Sequence, residues 1–456
     1  MRDFFIPPNF AEPAAQLRRH VNNAPSDIMV ESLPLSVEWL TDFVAKFRQP
    51  AIGFKTGSKA HQRRAIKAWS QVARDWQTMK FRGAKNILAT LAAATGFSPK
   101  MLQEALFNHF VVCHEGEMAE WLEAVKRERE RSPERRVNHP ALVFLVNAGN
   151  IPGVAIHPVI QLSLLGIPTI VKNASAEPFL LPAILTTLAQ YDPVVASRCA
   201  ALTWSRSEPA LTETVLQGKP ALAAFGDDDT IAHFAQQKKR FADFGDRFSL
   251  ALVNPAHDKP LPNKLAYDVC MFEQMGCLSP QAILFVTDDW RQVEAFCTQL
   301  AAAMEKISRH FPAGKRTPAQ SAVIQQWRGA LAVRAAAGEK IILLTGSGTD
   351  WTVAAAEQFD LNERVAYRFA RVWPAPTLAP AVAIVRQHQA KLQSLALGFS
   401  YEELRQIALD FPDLVDGFPK ILRPFPGFMQ RPEFGWLEIN DEWKRLTTGL
   451  RREAGV

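Results

Sequence analysis

Ala141–Lys172 reads ALVFLVNAGNIPGVAIHPVIQLSLLGIPTIVK, and the fold is decided by its pattern. ALVFLV is a short, unbroken apolar run of the kind that a parallel sheet buries on both faces. AGNIPG reads as a turn, because Gly and Pro punctuate it and Asn tolerates turn geometry. Val154–Leu165 then predicts an amphipathic helix and Thr169–Lys172 a second strand, which completes one strand-helix-strand unit.

The alternation continues. It predicts a helix over Pro178–Gln190, strands at Ala201–Trp204 and Ala221–Phe225, a helix over Thr230–Phe241 and a strand at Phe248–Val253. A parallel, doubly wound α/β sheet follows from such a series. After Pro255 a second α/β series begins with a helix over Leu261–Met275 and a strand at Ala282–Thr287. Helices over Arg291–Ser308, Ala319–Ala337 and Leu378–Gln389 complete it, with strands at Lys340–Thr345, Arg368–Trp373 and Leu392–Leu397. Toward the N-terminus, residues 1 to 125 read as mostly helical, Trp69, Trp76, Phe81, Leu88 and Leu91 falling near helical spacing before Gly96. The charge-dense run Val125–Arg136 (VKRERERSPERR) reads as a solvated connector.

With 456 residues, 48% of them hydrophobic, the chain can bury more than one core. Its 52 basic against 46 acidic residues are dispersed rather than gathered, which fits an anionic small ligand and speaks against nucleic acid. Five cysteines at irregular spacing, with no CxxC pair, exclude a disulfide framework and a zinc site and suit a reducing, cytoplasmic setting. No stretch of about 18 uncharged apolar residues occurs, so no transmembrane segment is expected.

Two short segments carry chemistry. Cys277, in MFEQMGCLSPQ (Met271–Gln281), stands between Gly276 and Pro280, where a sharply turned backbone presents a thiol. Such a thiol is a strong nucleophile only as thiolate, so it needs a positive or hydrogen-bonding neighbour. Asn150 follows a strand within a Gly-flanked turn, and its amide is a suitable donor to the oxyanion of an acyl transfer. A structural thiol and an ordinary turn-former are the plainer readings of the two positions. A nucleotide-binding α/β fold would carry both segments, about 130 residues apart, to one cleft.

Asn147–Pro178 together with CMFEQMGCLSPQ and GTDWTVAA (Gly348–Ala355) resembles the LuxC-type acyl-CoA reductases, the fatty-acid reductase component of bacterial luminescence and its relatives. That family lies in the aldehyde dehydrogenase superfamily, and the resemblance covers about two thirds of the chain, from Ala141 onward. It implies an aldehyde dehydrogenase-like fold: a doubly wound cofactor domain plus an α/β catalytic domain. It implies an enzyme in which Cys277 takes an acyl group from coenzyme A or an acyl carrier, and hydride from NADPH releases a fatty aldehyde. Asn150 matches the oxyanion asparagine, Lys172 the lysine that contacts the adenosine ribose or its 2′-phosphate, and Gly226 the glycine beside the cofactor pyrophosphate. A homo-oligomer is implied too, and an acyl-activating protein is a possible partner. On this reading residues 1–255 hold the N-terminal helices and cofactor domain and 256–425 the catalytic domain, while 426–456 form an interface or a return strand.

One departure bears on mechanism. The superfamily's dehydrogenases carry a Glu-Leu-Gly-Gly base motif, whereas the matching stretch here, FADFGDRFSLALV (Phe241–Val253), has no such glutamate. This suits a reductase, which gains nothing from activating water against its own thioester. Asp227, Asp228 and Asp229 read as helix-capping residues. Gly346–Gly348 reads as a loop, Gly314-Lys315 lacks the rest of a phosphate-binding loop, and Cys113-His114-Glu115 lacks a second ligand pair. His157 reads as a helix-packing residue; Phe272, Trp351 and Trp373 are core or acyl-pocket candidates. Two other functions remain open: a cysteine-dependent acyltransferase or thioesterase without nicotinamide, and a non-catalytic binding subunit of an acyl pathway.

Overall fold

A computed structural model describes residues 1–13, 17–21, 28–49, 57–236, 240–255, 260–418 and 420–451. The chain forms two compact units, the first made of 1–95, 106–245 and 433–456, the second of 96–105 and 246–432.

The first unit opens with an antiparallel hairpin, β1 (Leu17–His20) and β2 (Met29–Ser32), inside a region whose sequence reads as helical. Its main sheet is parallel and contains β3 (Val143–Val146), β4 (Thr169–Lys172), β5 (Cys199–Leu202), β6 (Ala221–Phe225) and β7 (Phe241–Phe244), in the order β5-β4-β3-β6-β7. The chain builds outward from β3 through β4 to β5, then returns to the other side of β3 for β6 and β7. Order reverses between β3 and β6, and in doubly wound sheets ligands bind beyond the carboxyl ends of the strands at that reversal. Phe241 begins β7 rather than ending a helix: the preceding helix is only Asp228–Ala235, capped by Asp227, whose carboxylate accepts from the Thr230 N–H at 2.8 Å.

The helix after the Asn150 turn, Ile156–Leu165, is not amphipathic; all ten of its residues are buried. It packs against the N-terminal helix Lys59–Thr78 and the C-terminal helix Asp441–Thr448 as well as β4. A helix buried all round must pair its polar side chains, and this one does. Trp69 Nε1 donates to Ser163 Oγ (2.9 Å), Trp443 Nε1 to Gln161 Oε1 (2.8 Å), and Gln161 Nε2 to the Phe434 carbonyl (2.7 Å). Indole N–H groups from both chain ends therefore fix the helix on which the Asn150 turn is mounted. The charged run is less separate than its composition suggests, since Val125–Arg131 is the end of the helix Glu115–Arg131. Arg129 there donates to the carbonyls of Val137, Thr448 and Gly449, tying the C-terminal segment down.

The second unit has a six-stranded sheet of β8 (Phe248–Val253), β9 (Pro280–Val286), β10 (Ile341–Thr345), β11 (Thr352–Ala356), β12 (Phe369–Ala375) and β13 (Leu392–Gly398). The order is β10-β11-β12-β9-β8-β13, antiparallel at β10-β11 and parallel elsewhere. By its pattern β8 closes the first series, yet it hydrogen-bonds between β9 and β13 here. Alternate residues of β8 and β9 enter two separate cores: Ala251, Val253, Ile283 and Phe285 face one, Leu250, Leu252, Ala282 and Leu284 the other. Gly346–Gly348 is a loop, as its sequence reads, and β11, which begins at Thr352 inside GTDWTVAA, is buried throughout.

Candidate active site

In the first unit, three sequence-predicted residues lie on loops at the carboxyl ends of neighbouring strands. Asn150 is exposed, in the turn that leaves β3. The near end of this turn is fastened where the Asn147 N–H donates to the Lys172 carbonyl at 3.0 Å. Lys172 ends β4, half-buried, its ammonium 5.4 Å from the centre of the Trp204 ring. Burial, then the nearby Arg206, pushes the Lys172 ammonium down to about 8. Gly226 ends β6 where the helix Asp228–Ala235 begins, and a Cβ there would lie 2.8 Å from the Thr230 Cβ, too close for any side chain. Arg206 Nη2 reaches Thr230 Oγ1 at 3.1 Å, so this cation stands near both the end of β4 and the helix that follows β6.

These residues fit a nicotinamide dinucleotide. The Asn147 side-chain oxygen is buried among them with no hydrogen-bond partner, an arrangement that a ligand donor would relieve. Gly226 lets the backbone pass close against Thr230 at the start of the helix, and Lys172 and Arg206 supply positive charge. Asp227 is spent on the cap, and its carboxyl is held low by the Thr230 hydroxyl and N–H, with help from Arg206.

Cys277 belongs to the second unit. All five cysteines are free thiols, and Cys277 alone is half-buried while the rest are buried. Burial raises Cys199, Cys270 and Cys297 to about 12, Cys113 further still, and Cys277 only to about 11. Its own N–H, Arg247 and the Leu278 N–H oppose burial by favouring the thiolate; Asp246 acts the other way. At neutral pH the thiol of the ligand-free protein is therefore protonated.

The loop leading to Cys277 is unusually constrained. The expected helix Leu261–Met275 stops at Cys270, and Phe272, Glu273 and Gln274 follow with φ of 53°, 52° and 61°. Three successive left-handed non-glycine residues cost about 1–2 kcal/mol each. Buried Glu273 anchors them: it accepts from Arg368 Nε (3.1 Å) and Nη2 (2.6 Å), from Arg316 Nη2 (2.9 Å) and from the Gly314 N–H (3.3 Å). The amide of Gln274 accepts from the Phe369 N–H (2.7 Å) and donates to the Pro280 (2.9 Å) and Phe369 (3.1 Å) carbonyls. Beyond the thiol, Ser249 Oγ donates to the Cys277 carbonyl at 2.7 Å and Gln430 Nε2 to Ser279 Oγ at 3.3 Å. Cys277 is thus held on both sides by the sheet. Phe272 and Trp351 are core residues, only 3% and 6% exposed.

Comparison with known proteins agrees with this architecture. The sequence profile of the LuxC acyl-CoA reductases matches residues 61–411, which includes Asn150, Lys172, Gly226 and Cys277. The chain belongs to this family. A long-chain acyl-protein thioester reductase of Photobacterium leiognathi is 24% identical over 270 residues, covering 56% of this chain and 54% of that protein. One of Vibrio harveyi is 22% identical over 264 residues, covering 53% and 54%. The LuxC-family chain thus spans about half the length of the curated relatives it matches. Among solved structures, an oxidoreductase from Marinobacter aquaeolei superposes with a TM-score of 0.65 at 12% identity, covering 93% of this chain and 90% of that one. An aldehyde dehydrogenase from Brucella melitensis does so with a TM-score of 0.64 at 12% identity, covering 93% and 89%. The fold is that of the aldehyde dehydrogenases, as the sequence resemblance implies.

Sequence reasoning missed the role of Glu273, although it lies inside the quoted Cys277 segment, and missed Arg316 and Arg368, which no motif marks, and Arg247 and Asp246, which lie inside the stretch searched only for a glutamate. Among the described residues no helix is long and apolar enough to cross a membrane.

Proposed function

We propose that this LuxC-family chain is an NADPH-dependent acyl-thioester reductase acting through Cys277. The observation that carries the reading is the Cys277 turn: the most ionisable of five thiols, clamped on both sides, with two backbone N–H groups and Arg247 favouring its anion. The Cys277 sulfur, once deprotonated, attacks the thioester carbonyl of an acyl-CoA or acyl-carrier donor, and the donor's thiolate leaves with the proton that Cys277 gave up. Asn150 and the Cys277 N–H are the proposed donors to the oxyanion formed on the way. NADPH, when bound, supplies a hydride to the thioacyl carbon. The carbon–sulfur bond then breaks, releasing a fatty aldehyde and the Cys277 thiolate.

NADPH is favoured over NADH by Lys172 and Arg206. The Lys172 ammonium, pushed down by burial and by Arg206 nearby, is relieved by an anion, and a ribose 2′-phosphate is the anion a dinucleotide can bring to that strand end. The absence of the superfamily glutamate suits a thioester that is reduced rather than hydrolysed. A cytoplasmic setting is part of the same proposal.

The test is intact-protein mass spectrometry after incubation with a long-chain acyl-CoA, beside Cys277→Ala, followed by NADPH. An acyl adduct that needs Cys277 and is discharged as aldehyde supports the reading. An adduct that NADPH leaves in place would make the chain an acyltransferase, and no adduct with any donor would refute catalysis by Cys277.

A further inference from the structure

Asn150 is an exposed side chain on a loop, yet an oxyanion donor must be held to within about half an ångström. What fixes its turn is buried beneath it. His109, near the end of the helix Pro99–Val111, presses its imidazole against the turn: Nε2 lies 3.2 Å from the Pro152 carbonyl oxygen. Gly153 adopts φ +91°, and a Cβ there would lie 2.7 Å from His109 Nε2, so the ring fills the space a side chain would need. Under this contact lies a second imidazole. Trp436 Nε1 donates to His157 Nδ1 at 3.0 Å, and His157 Nε2 lies 2.7 Å from the His109 carbonyl oxygen.

The donors and acceptors leave one assignment of protons. An indole N–H only donates, so His157 Nδ1 carries no proton and Nε2 carries it toward the His109 carbonyl. Carbonyls only accept, so His109 Nε2–H donates to Pro152. Both rings are neutral, and burial agrees, pushing His157 down to about 4 and His109 to about 3. The order of dependence is Trp436, His157, His109, Pro152, and two residues beyond that stands Asn150.

We propose that His109 is a positioning residue: its Nε2–H and ring face, buttressed by His157 and Trp436, set the Asn150 turn for oxyanion stabilisation. This rests on the reductase reading for its catalytic consequence and on the geometry alone for its structural one. A misplacement of about 1 Å in such a donor costs roughly a hundredfold in rate.

The experiment compares wild type, His109→Leu, which keeps bulk and loses the donor, and His109→Gln, whose amide restores a donor near the Nε2 position. Two measurements are made on each: the single-turnover rate of acyl-adduct formation on Cys277, and hydrogen exchange of the Asn147–Gly153 peptide by mass spectrometry. His109→Leu should slow acylation at saturating acyl-CoA by at least tenfold, leave the half-saturating concentration within about twofold, and exchange faster across the turn; His109→Gln should recover most of both. If His109→Leu leaves exchange across the turn unchanged, the proposal is overturned. If both variants lose rate equally while exchange rises throughout the unit, His109 is merely a core residue and the proposal is overturned as well. Should wild type form no adduct, the reductase reading fails, and the exchange arm still decides whether His109 sets the turn.

Discussion

Replacing Glu273 with alanine tests the claim that a buried ion pair holds the Cys277 loop in its strained path. Glu273 is 4% exposed, and its partners Arg368 and Arg316 have side chains 0% and 7% exposed. Removing one partner of such a cluster typically costs about 3–5 kcal/mol, because buried charges are left without a counterion. The guanidinium groups retain carbonyl acceptors, Phe311 and Pro312 for Arg368 and Thr349, Asp350 and Tyr367 for Arg316, but among the described residues no other carboxylate pairs with them. The left-handed run costs about 3–6 kcal/mol over three residues, so clamp and strain are of one size. In Glu273→Ala the Gln274 bonds to the Pro280 and Phe369 backbone still hold the left-handed path, so the strain stays and the lost clamp falls on the stability of the unit. In a unit of this size each kcal/mol shifts the midpoint by about 2–4 °C, giving a loss of roughly 6–20 °C in thermal unfolding followed by tryptophan fluorescence. Glu273→Gly loses the same clamp but removes the steric cost at one residue, and should recover about 1 kcal/mol relative to alanine. A Glu273→Ala midpoint within about 2 °C of wild type, or a glycine variant less stable than the alanine one, would refute the reasoning.

Iodoacetamide labelling of Cys277 in the ligand-free protein should rise about tenfold per pH unit from pH 7 to 10 without a plateau, since its thiol is raised to about 11; a plateau below pH 9 would mean that the loop already holds a thiolate. Lys172→Ala should weaken NADPH binding by tenfold or more, and NADH binding much less, in fluorescence titrations; equal losses would remove the 2′-phosphate from Lys172. The wild-type preference should also shrink above pH 8: with the Lys172 value at about 8, the ammonium is mostly protonated at pH 7 and mostly neutral at pH 9, so the anion loses its partner as pH rises. Asn150→Ala should lower the acylation rate by roughly 10²–10³-fold with little change in acyl-CoA affinity; an unchanged rate in stopped-flow acylation would assign the oxyanion to other donors.

The parts of the fold that were legible are those governed by periodicity. The continuous apolar runs at Val143–Val146, Ala221–Phe225 and Phe248–Val253 are strands because a parallel sheet buries both their faces. Which sheet receives a strand is another matter. Phe248–Val253 has the same pattern whether it closes the first series or sits between β9 and β13, since buried strands carry no mark of their neighbours. Helix burial is equally mute in the sequence: His157, Gln161 and Ser163 look like a polar face, and only Trp436, Trp443 and Trp69, far away in the chain, make them interior.

The same distinction separates Asn150 and Cys277 from the residues that hold them. Each belongs to a local motif with turn residues around it, so each can be picked out from a few positions. Glu273 cannot, because nothing in FEQ announces a left-handed run; without glycine or asparagine, propensity continues the helix. The run exists because arginines 43 and 95 residues away meet one carboxylate. His109 is hidden for the same reason, lying 43 residues before the carbonyl it reaches. Reacting groups can be written locally, while the groups that aim them are chosen by tertiary contact. A thiol presented on a strained turn needs a clamp whose energy matches the strain, and that requirement, rather than any motif, is what locates Glu273, Arg316 and Arg368 as the residues on which the chemistry proposed for Cys277 depends.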